Sequence, residues 1–153
     1  MELYHFTSKS DFDIKPSIYI QSDPRIYGKP CGLWVTDNSN DDWESWCFQE
    51  GFGLDRLKHK FKINLKKDAN ILKIESLSEI HRFNNSKYIL EHSASFDFTK
   101  MVDWYSVSKD YDGIIIMPYQ HMVRHEYQWY KKWDCSSGCI FDTNIIESVE
   151  KIY

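Results

Sequence analysis

Alternation of apolar and polar residues predicts several β-strands. In residues 59–65, Phe61, Ile63 and Leu65 alternate with lysines, which is the period of a strand with one buried and one solvated face. Residues 70–74 follow a short turn and are expected to form a neighbouring strand. Short apolar runs between turn-forming residues predict further strands at residues 2–7, 31–36, 113–118, 138–143 and 145–153.

Two short helices are predicted from their capping residues. Asn38 or Ser39 can cap the first helix, and Gly51 ends it. The apolar face of this helix carries Trp43, Trp46 and Cys47. A capping-box sequence from Ser76 to Glu79 predicts the start of the second helix, because the two side chains can each bond a free backbone N–H.

A third helix is predicted between Asp97 and Lys109, with Asp97 as its cap. Its apolar residues fall at i, i+3, i+4 and i+7, at Phe98, Met101, Val102 and Tyr105. Strands at both ends of the chain with helices between them indicate the α+β class. Because the 153 residues contain no repeat or linker, we expect one domain over residues 1–153.

Composition and charge restrict the classes of partner. No apolar run reaches the roughly eighteen residues of a membrane-spanning helix. The N-terminus also lacks a secretion signal, so we expect a cytoplasmic protein without a membrane partner. In that compartment buried thiols are expected at Cys31, Cys47, Cys135 and Cys139. A formal net charge of -4 disfavours non-specific nucleic-acid binding.

Three segments contain the residue types of a ligand site. They are residues 4–8 (YHFTS), residues 28–47 (GKPCGLWVTDNSNDDWESWC) and residues 133–142 (WDCSSGCIFD). Their order resembles the three conserved regions of the histidine-containing, polymerase-like branch of the ADP-ribosyltransferase superfamily. That family has a first-strand histidine, then a strand with an aromatic ring before a helix, then a late strand with an acid at its start. The layout is also similar to small phage-encoded ADP-ribosyltransferases that inhibit bacterial defence.

The resemblance implies a fold and an activity. The expected fold is an ADP-ribosyltransferase-like α+β domain, with a split and strongly bent β core, flanking short helices and NAD bound in the cleft. The expected reaction cleaves the bond between nicotinamide and ribose and transfers ADP-ribose to a macromolecule, a protein rather than a nucleic acid. Such a site needs ring-stacking surfaces, donors for ribose hydroxyls and a carboxylate near the developing positive charge.

The chemistry of such a site also suggests roles for residues. His5 is suited to donate a hydrogen bond to an adenosine ribose hydroxyl, and Asp134 either to hold the nicotinamide ribose and stabilise the cation or to take a proton from the acceptor. Contacts with NAD are further implied for Phe6, Thr7, Ser8, Trp34, Thr36 and Arg25. Phe6 stands where polymerase-like members have glycine. Because no glutamate opens residues 138–141, Asp142 and Glu126 remain alternatives for the acid.

Other chemistries are open from the residues alone. The pair Cys135 and Cys139 has a spacing compatible with zinc, although a turn between two thiols is the simpler interpretation. Cys135 beside Asp134, with His121 or His125, offers the residue types of a thiol nucleophile. The aromatic residues 126–133 suit either base stacking or a core. A non-enzymatic binding module and an NAD glycohydrolase are the competing functions.

Overall fold

The computed structural model describes residues 1–23, 28–94 and 97–153, which form nine strands and three helices. The strands are β1 (Leu3–Thr7), β2 (Leu33–Thr36), β3 (His59–Leu65), β4 (Ile71–Ile74), β5 (Ile89–Ala94), β6 (Asp97–Val102), β7 (Gly113–Ile116), β8 (Ser137–Ile140) and β9 (Ile146–Lys151). The helices are α1 (Trp43–Glu50), α2 (Leu77–Asn84) and α3 (Trp104–Asp110). The α+β class is therefore confirmed.

Seven of these strands form one sheet in the order β4-β7-β8-β2-β1-β3-β9. Every neighbouring pair is antiparallel except β4 and β7, which run parallel with Ile71 opposite Gly113 and Ile74 opposite Ile116. The expectation that residues 70–74 lie beside β3 is therefore wrong. A parallel pair needs a long crossover connection, and α2, the β5–β6 hairpin and α3 supply it.

The third helix is shorter than its periodicity predicts. Asp97–Val102 is a strand paired with Ile89–Ala94, and the helix begins only at Trp104. Asp103 is its cap, because its carboxylate accepts a hydrogen bond from the Ser106 N–H at 3.2 Å. The apolar spacing across residues 98–105 therefore joins the end of a strand to the start of a helix.

Capping residues in the sequence correctly predict the C-terminus of α1 and the N-terminus of α2. In α1 the cap is Asp42, whose carboxylate accepts from the Ser45 N–H at 2.8 Å, rather than Asn38 or Ser39. Gly51 then ends the helix in the left-handed conformation, with φ of 62°. In α2 the Ser76 hydroxyl accepts from the Glu79 N–H at 3.3 Å, as predicted.

Both faces of the sheet are covered. Along β7, Ile114 and Ile116 pack into the largest core cluster, whereas Ile115 packs into a second cluster on the other face. Such burial on both sides is typical of a central strand. The largest core cluster includes Phe83, Trp104, Trp129, Tyr130 and Trp133. Residues 126–133 thus contribute core rings, and the base-stacking interpretation of this stretch is wrong.

The lysines of β3 do not all face solvent. Lys60 is buried, and its Nζ donates to Asn38 Oδ1 at 2.6 Å and lies 3.5 Å from Glu44 Oε2. The same ammonium lies 4.6 Å from the centre of the Tyr4 ring. Lys60 therefore joins β3 to the start of α1. Within the described residues, no helix is long and apolar enough to cross a membrane.

Candidate functional site

A cavity opens where β1 and β2 separate. Their register has Tyr4 opposite Thr36, whereas β1 pairs with β3 along five residues. The cavity at this point has a volume of about 520 Å³, within the range of ligand pockets. Its walls include seven of the residues predicted from the sequence, His5, Phe6, Thr7, Ser8, Trp34, Thr36 and Asp134. Arg25, the eighth, lies outside the described residues.

His5 is held at the separation of the two strands. Its Nδ1 lies 2.8 Å from the Trp34 carbonyl oxygen, and its ring stacks on Phe12 with centres 4.5 Å apart. Burial lowers the pKa of His5, so the ring is neutral at neutral pH. Because a carbonyl only accepts, Nδ1 carries the proton and Nε2 is left as an acceptor. The predicted contact of His5 with a ribose hydroxyl stays a prediction, and the ring nitrogen left for such a contact is the acceptor Nε2.

Trp34 and Asp134 are connected through a lysine. The Lys29 ammonium lies 5.1 Å from the centre of the Trp34 ring and 3.6 Å from Asp134 Oδ2. The Trp34 ring is supported from the core by Trp133, with centres 5.0 Å apart. The site thus holds one positive charge between an aromatic ring and a carboxylate, an arrangement stabilised by both cation–π and ionic attraction.

The remaining β1 residues differ in what they offer a ligand. Phe6 is buried with Tyr4 and Leu57 and forms part of the wall. The Thr7 hydroxyl oxygen accepts from the Lys9 N–H at 3.2 Å, which leaves the hydroxyl proton available. Ser8 is exposed at the rim. Thr7 and Ser8 are therefore the hydroxyl donors of this wall.

Thr36 lines the cavity, but its hydroxyl is used within the protein. It donates to the Ser136 carbonyl at 2.6 Å and accepts from the Trp43 N–H at 3.0 Å. These bonds connect β2 to the residue that precedes β8 and to the first residue of α1. The hydroxyl proton of Thr36 is therefore already donated inside the fold, and the contact of Thr36 with NAD stays a prediction.

The two alternative acids lie away from the cavity walls. Asp142 caps the 3-10 turn Thr143–Ile145, where its carboxylate accepts from the Asn144 N–H at 2.9 Å. Glu126 is exposed in the segment before the core rings. The Ser136 hydroxyl donates to Asp37 Oδ2 at 2.7 Å, so its proton is not donated to the Asp134 carboxylate. Asp134 is the one of the three acids on the cavity wall.

The thiol nucleophile and the metal site are not supported. Burial raises the pKa of Cys135 to about 12, so the sulfur stays protonated near neutral pH and is a poor nucleophile. Cys135, Cys139 and Cys47 are buried free thiols, whereas Cys31 is half-buried. In the described part of the chain, no three His, Cys, Asp or Glu residues are grouped to hold a metal.

The cavity walls also include residues that the sequence interpretation did not assign to them. Tyr19, Lys29, Trp43 and Arg56 are among these. Arg56 is exposed and makes no ion pair with any described residue, so the cavity has a second positive charge besides Lys29. Lys29 belongs to the same quoted segment as Trp34, so its position in that segment could have identified it as a residue of the site. No local sequence pattern marks Tyr19, Trp43 or Arg56 as a residue of the cavity wall.

Comparisons of this chain with protein-family models, with curated proteins and with solved structures give no match.

Proposed function

We propose that the protein is a cytoplasmic NAD-dependent ADP-ribosyltransferase that modifies a protein acceptor. One observation carries the proposal: His5–Ser8, Trp34 and Asp134, from three separate segments, line one cavity of ligand size. The separation of β1 from β2 at that cavity supports the split β core of the ADP-ribosyltransferase fold. The buried thiols suit a reducing compartment.

The charge between Trp34 and Asp134 supports NAD as the ligand. The nicotinamide ring of NAD is aromatic and positively charged, and it loses that charge when the glycosidic bond breaks. Trp34 and Asp134 already hold the Lys29 ammonium at 5.1 Å and 3.6 Å, respectively. In the proposed complex the nicotinamide takes the place of this ammonium. Lys29 then moves to the pyrophosphate, together with Arg56.

The reaction follows from the same groups. The bond between the ribose C1′ and the nicotinamide nitrogen breaks, and its electron pair goes to the ring nitrogen. The ribose becomes an oxocarbenium ion, which the Asp134 carboxylate stabilises because it lies beside the developing charge. A nucleophilic side chain of the acceptor attacks C1′, and its proton passes to Asp134 and then to solvent. His5 accepts a hydrogen bond from a ribose hydroxyl at Nε2 and orients the sugar.

The first experiment measures nicotinamide release from NAD by the purified protein, alone and with a bacterial lysate, together with transfer of labelled ADP-ribose. We expect release and protein labelling. Release without labelling would indicate an NAD glycohydrolase on the same site. Neither release nor NAD binding would overturn the enzyme proposal and leave a non-enzymatic binding module.

Substitution of Asp134 tests the acid. Asp134→Asn keeps the shape of the side chain and removes its charge, so nicotinamide release should fall by about a hundredfold or more. Thermal stability should change little, because the Lys29–Asp134 pair is partly exposed. Asp142→Asn and Glu126→Gln serve as controls and should retain activity. Loss of release in either control, with Asp134→Asn active, would contradict the assignment of the acid.

A further inference from the structure

Helix α1 carries two half-buried indole rings that pack on the edge of the small core cluster around Cys47 and Leu57. Trp43 and Trp46 stack with centres 5.1 Å apart, and Phe52 meets the Trp46 ring edge-on at 5.5 Å. We call Trp43, Trp46 and Phe52 the outer aromatic cluster. Trp43 also lines the cavity, so the cluster runs from the cavity to the outer surface of α1.

The surroundings of this cluster are apolar and open. Phe52 is 50% exposed, and the nearby Phe48 and Leu54 are 65% and 47% exposed. Neither Trp43 nor Trp46 donates its indole N–H to any residue that the structure describes, although buried tryptophans usually find a partner. Contiguous exposed apolar surface with free polar handles is typical of protein interaction sites.

Charge decides which kind of partner fits. Residues 37–55 contain six acidic residues and no lysine or arginine, and the exposed Arg56 that follows them lies on the cavity wall. Asp41, Glu50 and Asp55 are exposed among them. Nucleic acid needs a basic surface, so this acidic stretch disfavours it. A protein segment with both apolar and basic side chains is complementary to half-buried indole rings and exposed phenylalanines beside carboxylates.

We propose that the outer aromatic cluster and its acidic neighbours form the docking surface for the acceptor protein, which presents apolar and basic side chains there. The assignment of this partner as an acceptor rests on the proposed transferase function. Because Trp43 belongs to both the cavity and the cluster, a segment seated on α1 has its nucleophile near the ribose. The surface therefore selects the acceptor, whereas the cavity binds NAD.

Direct binding tests the surface independently of catalysis. The probes are two short synthetic peptides of equal leucine content, one with arginine and one with glutamate at the remaining positions. The arginine peptide should bind at least about tenfold more tightly than the glutamate peptide. Trp46→Ala and Phe52→Ala should each weaken its binding about tenfold. Tyr105→Ala, which removes an exposed ring of α3, is the matched control and should bind normally.

The outcomes separate this proposal from the transferase proposal. Equal binding of both peptides, or normal binding by folded Trp46→Ala and Phe52→Ala variants, would overturn the docking surface. Tighter binding of a single-stranded oligonucleotide would overturn the choice of partner. In the transferase assay, Trp46→Ala should lower protein labelling without changing nicotinamide release in the absence of acceptor. Absence of release in the unaltered protein would instead contradict the transferase proposal, and leave the peptide result standing.

Discussion

Two groups of tryptophan rings in this protein have opposite environments. Three indoles lie in the largest core cluster, and each donates its N–H inside the protein: Trp104 to Gly28 O at 3.1 Å, Trp129 to Asn84 Oδ1 at 3.0 Å and Trp133 to Ser137 O at 3.3 Å. In the outer aromatic cluster, the indoles of Trp43 and Trp46 stack on each other without such partners among the described residues.

The hydrogen bonds of the indole N–H groups distinguish the tryptophans of the core from those of the outer aromatic cluster. A buried N–H without a partner costs free energy, so the core rings are fixed by both packing and direction. An exposed ring can leave its N–H to water. The buried group supports Trp34 through Trp133, whereas the outer group offers its faces and N–H groups to another molecule. Composition alone predicts neither use, because both groups contribute to the same aromatic content.

Removal of a core ring is expected to give the largest effect on stability. Trp133 is 1% exposed and contacts Trp34, Trp104 and Trp129. Trp133→Ala leaves a large cavity, and the free energy of unfolding should fall by about 3–5 kcal/mol. Chemical denaturation measures the change, with Trp133→Phe as a milder control. A loss below about 1 kcal/mol would mean that the core group is not the scaffold.

Removal of an outer ring should cost much less. Trp46 is half-buried, stacks on Trp43 and packs at the edge of the core cluster around Cys47, so Trp46→Ala should lower the free energy of unfolding by only about 1 kcal/mol. The same denaturation experiment applies. A loss equal to that of Trp133→Ala would remove the distinction between the two groups and show that α1 needs this ring to fold.

The smallest effect is a pH dependence at His5, whose ring is bonded to the Trp34 carbonyl oxygen. Burial lowers its pKa in the folded protein below the unfolded value of about 6.5. Between these two pKa values the unfolded chain binds more protons, so this contribution to stability is complete above about pH 6.5. This contribution to stability is lost as the pH falls from about 6.5 toward the pKa of His5 in the folded protein.

The matched variant for this prediction is His5→Asn, which cannot titrate. Thermal melting from pH 8 to about pH 5 should therefore show a steeper loss of stability in the unaltered protein than in the variant. Parallel curves would mean that the imidazole has the same pKa in the folded and unfolded chains. In that case the neutral tautomer assigned to His5 would have no support from titration.

Local patterns predicted those parts of the fold that depend on local contacts. The capping residues Ser76 and Gly51 mark helix ends in the sequence as in the structure, because each acts within one helical turn. The parallel pairing of β4 with β7 and the strand at Asp97–Val102 depend on partners far along the chain. A periodicity of apolar residues does not contain that information.

The same limit applies to the site. His5 and Trp34 were identifiable because residue type and order are visible in the sequence, and the structure places both on the cavity wall. The hydrogen bonds of the Thr36 hydroxyl could not be identified from the sequence, because its partners Ser136 and Trp43 lie outside β2. Lys60 was assigned to a solvated face for the same reason, since its burial arises from α1.

The two hydrogen bonds of Thr36 also set a distance. Its hydroxyl joins the strand that carries Trp34 to the residue that opens α1, so the cavity floor and the outer surface of that helix cannot slide independently. The hydrogen bond from the Trp43 N–H to the Thr36 hydroxyl fixes the distance between β2 and the start of α1. A chain seated on α1 therefore lies at a constant distance from the cavity, which restricts the number of residues between its anchoring side chain and any side chain that enters the cavity.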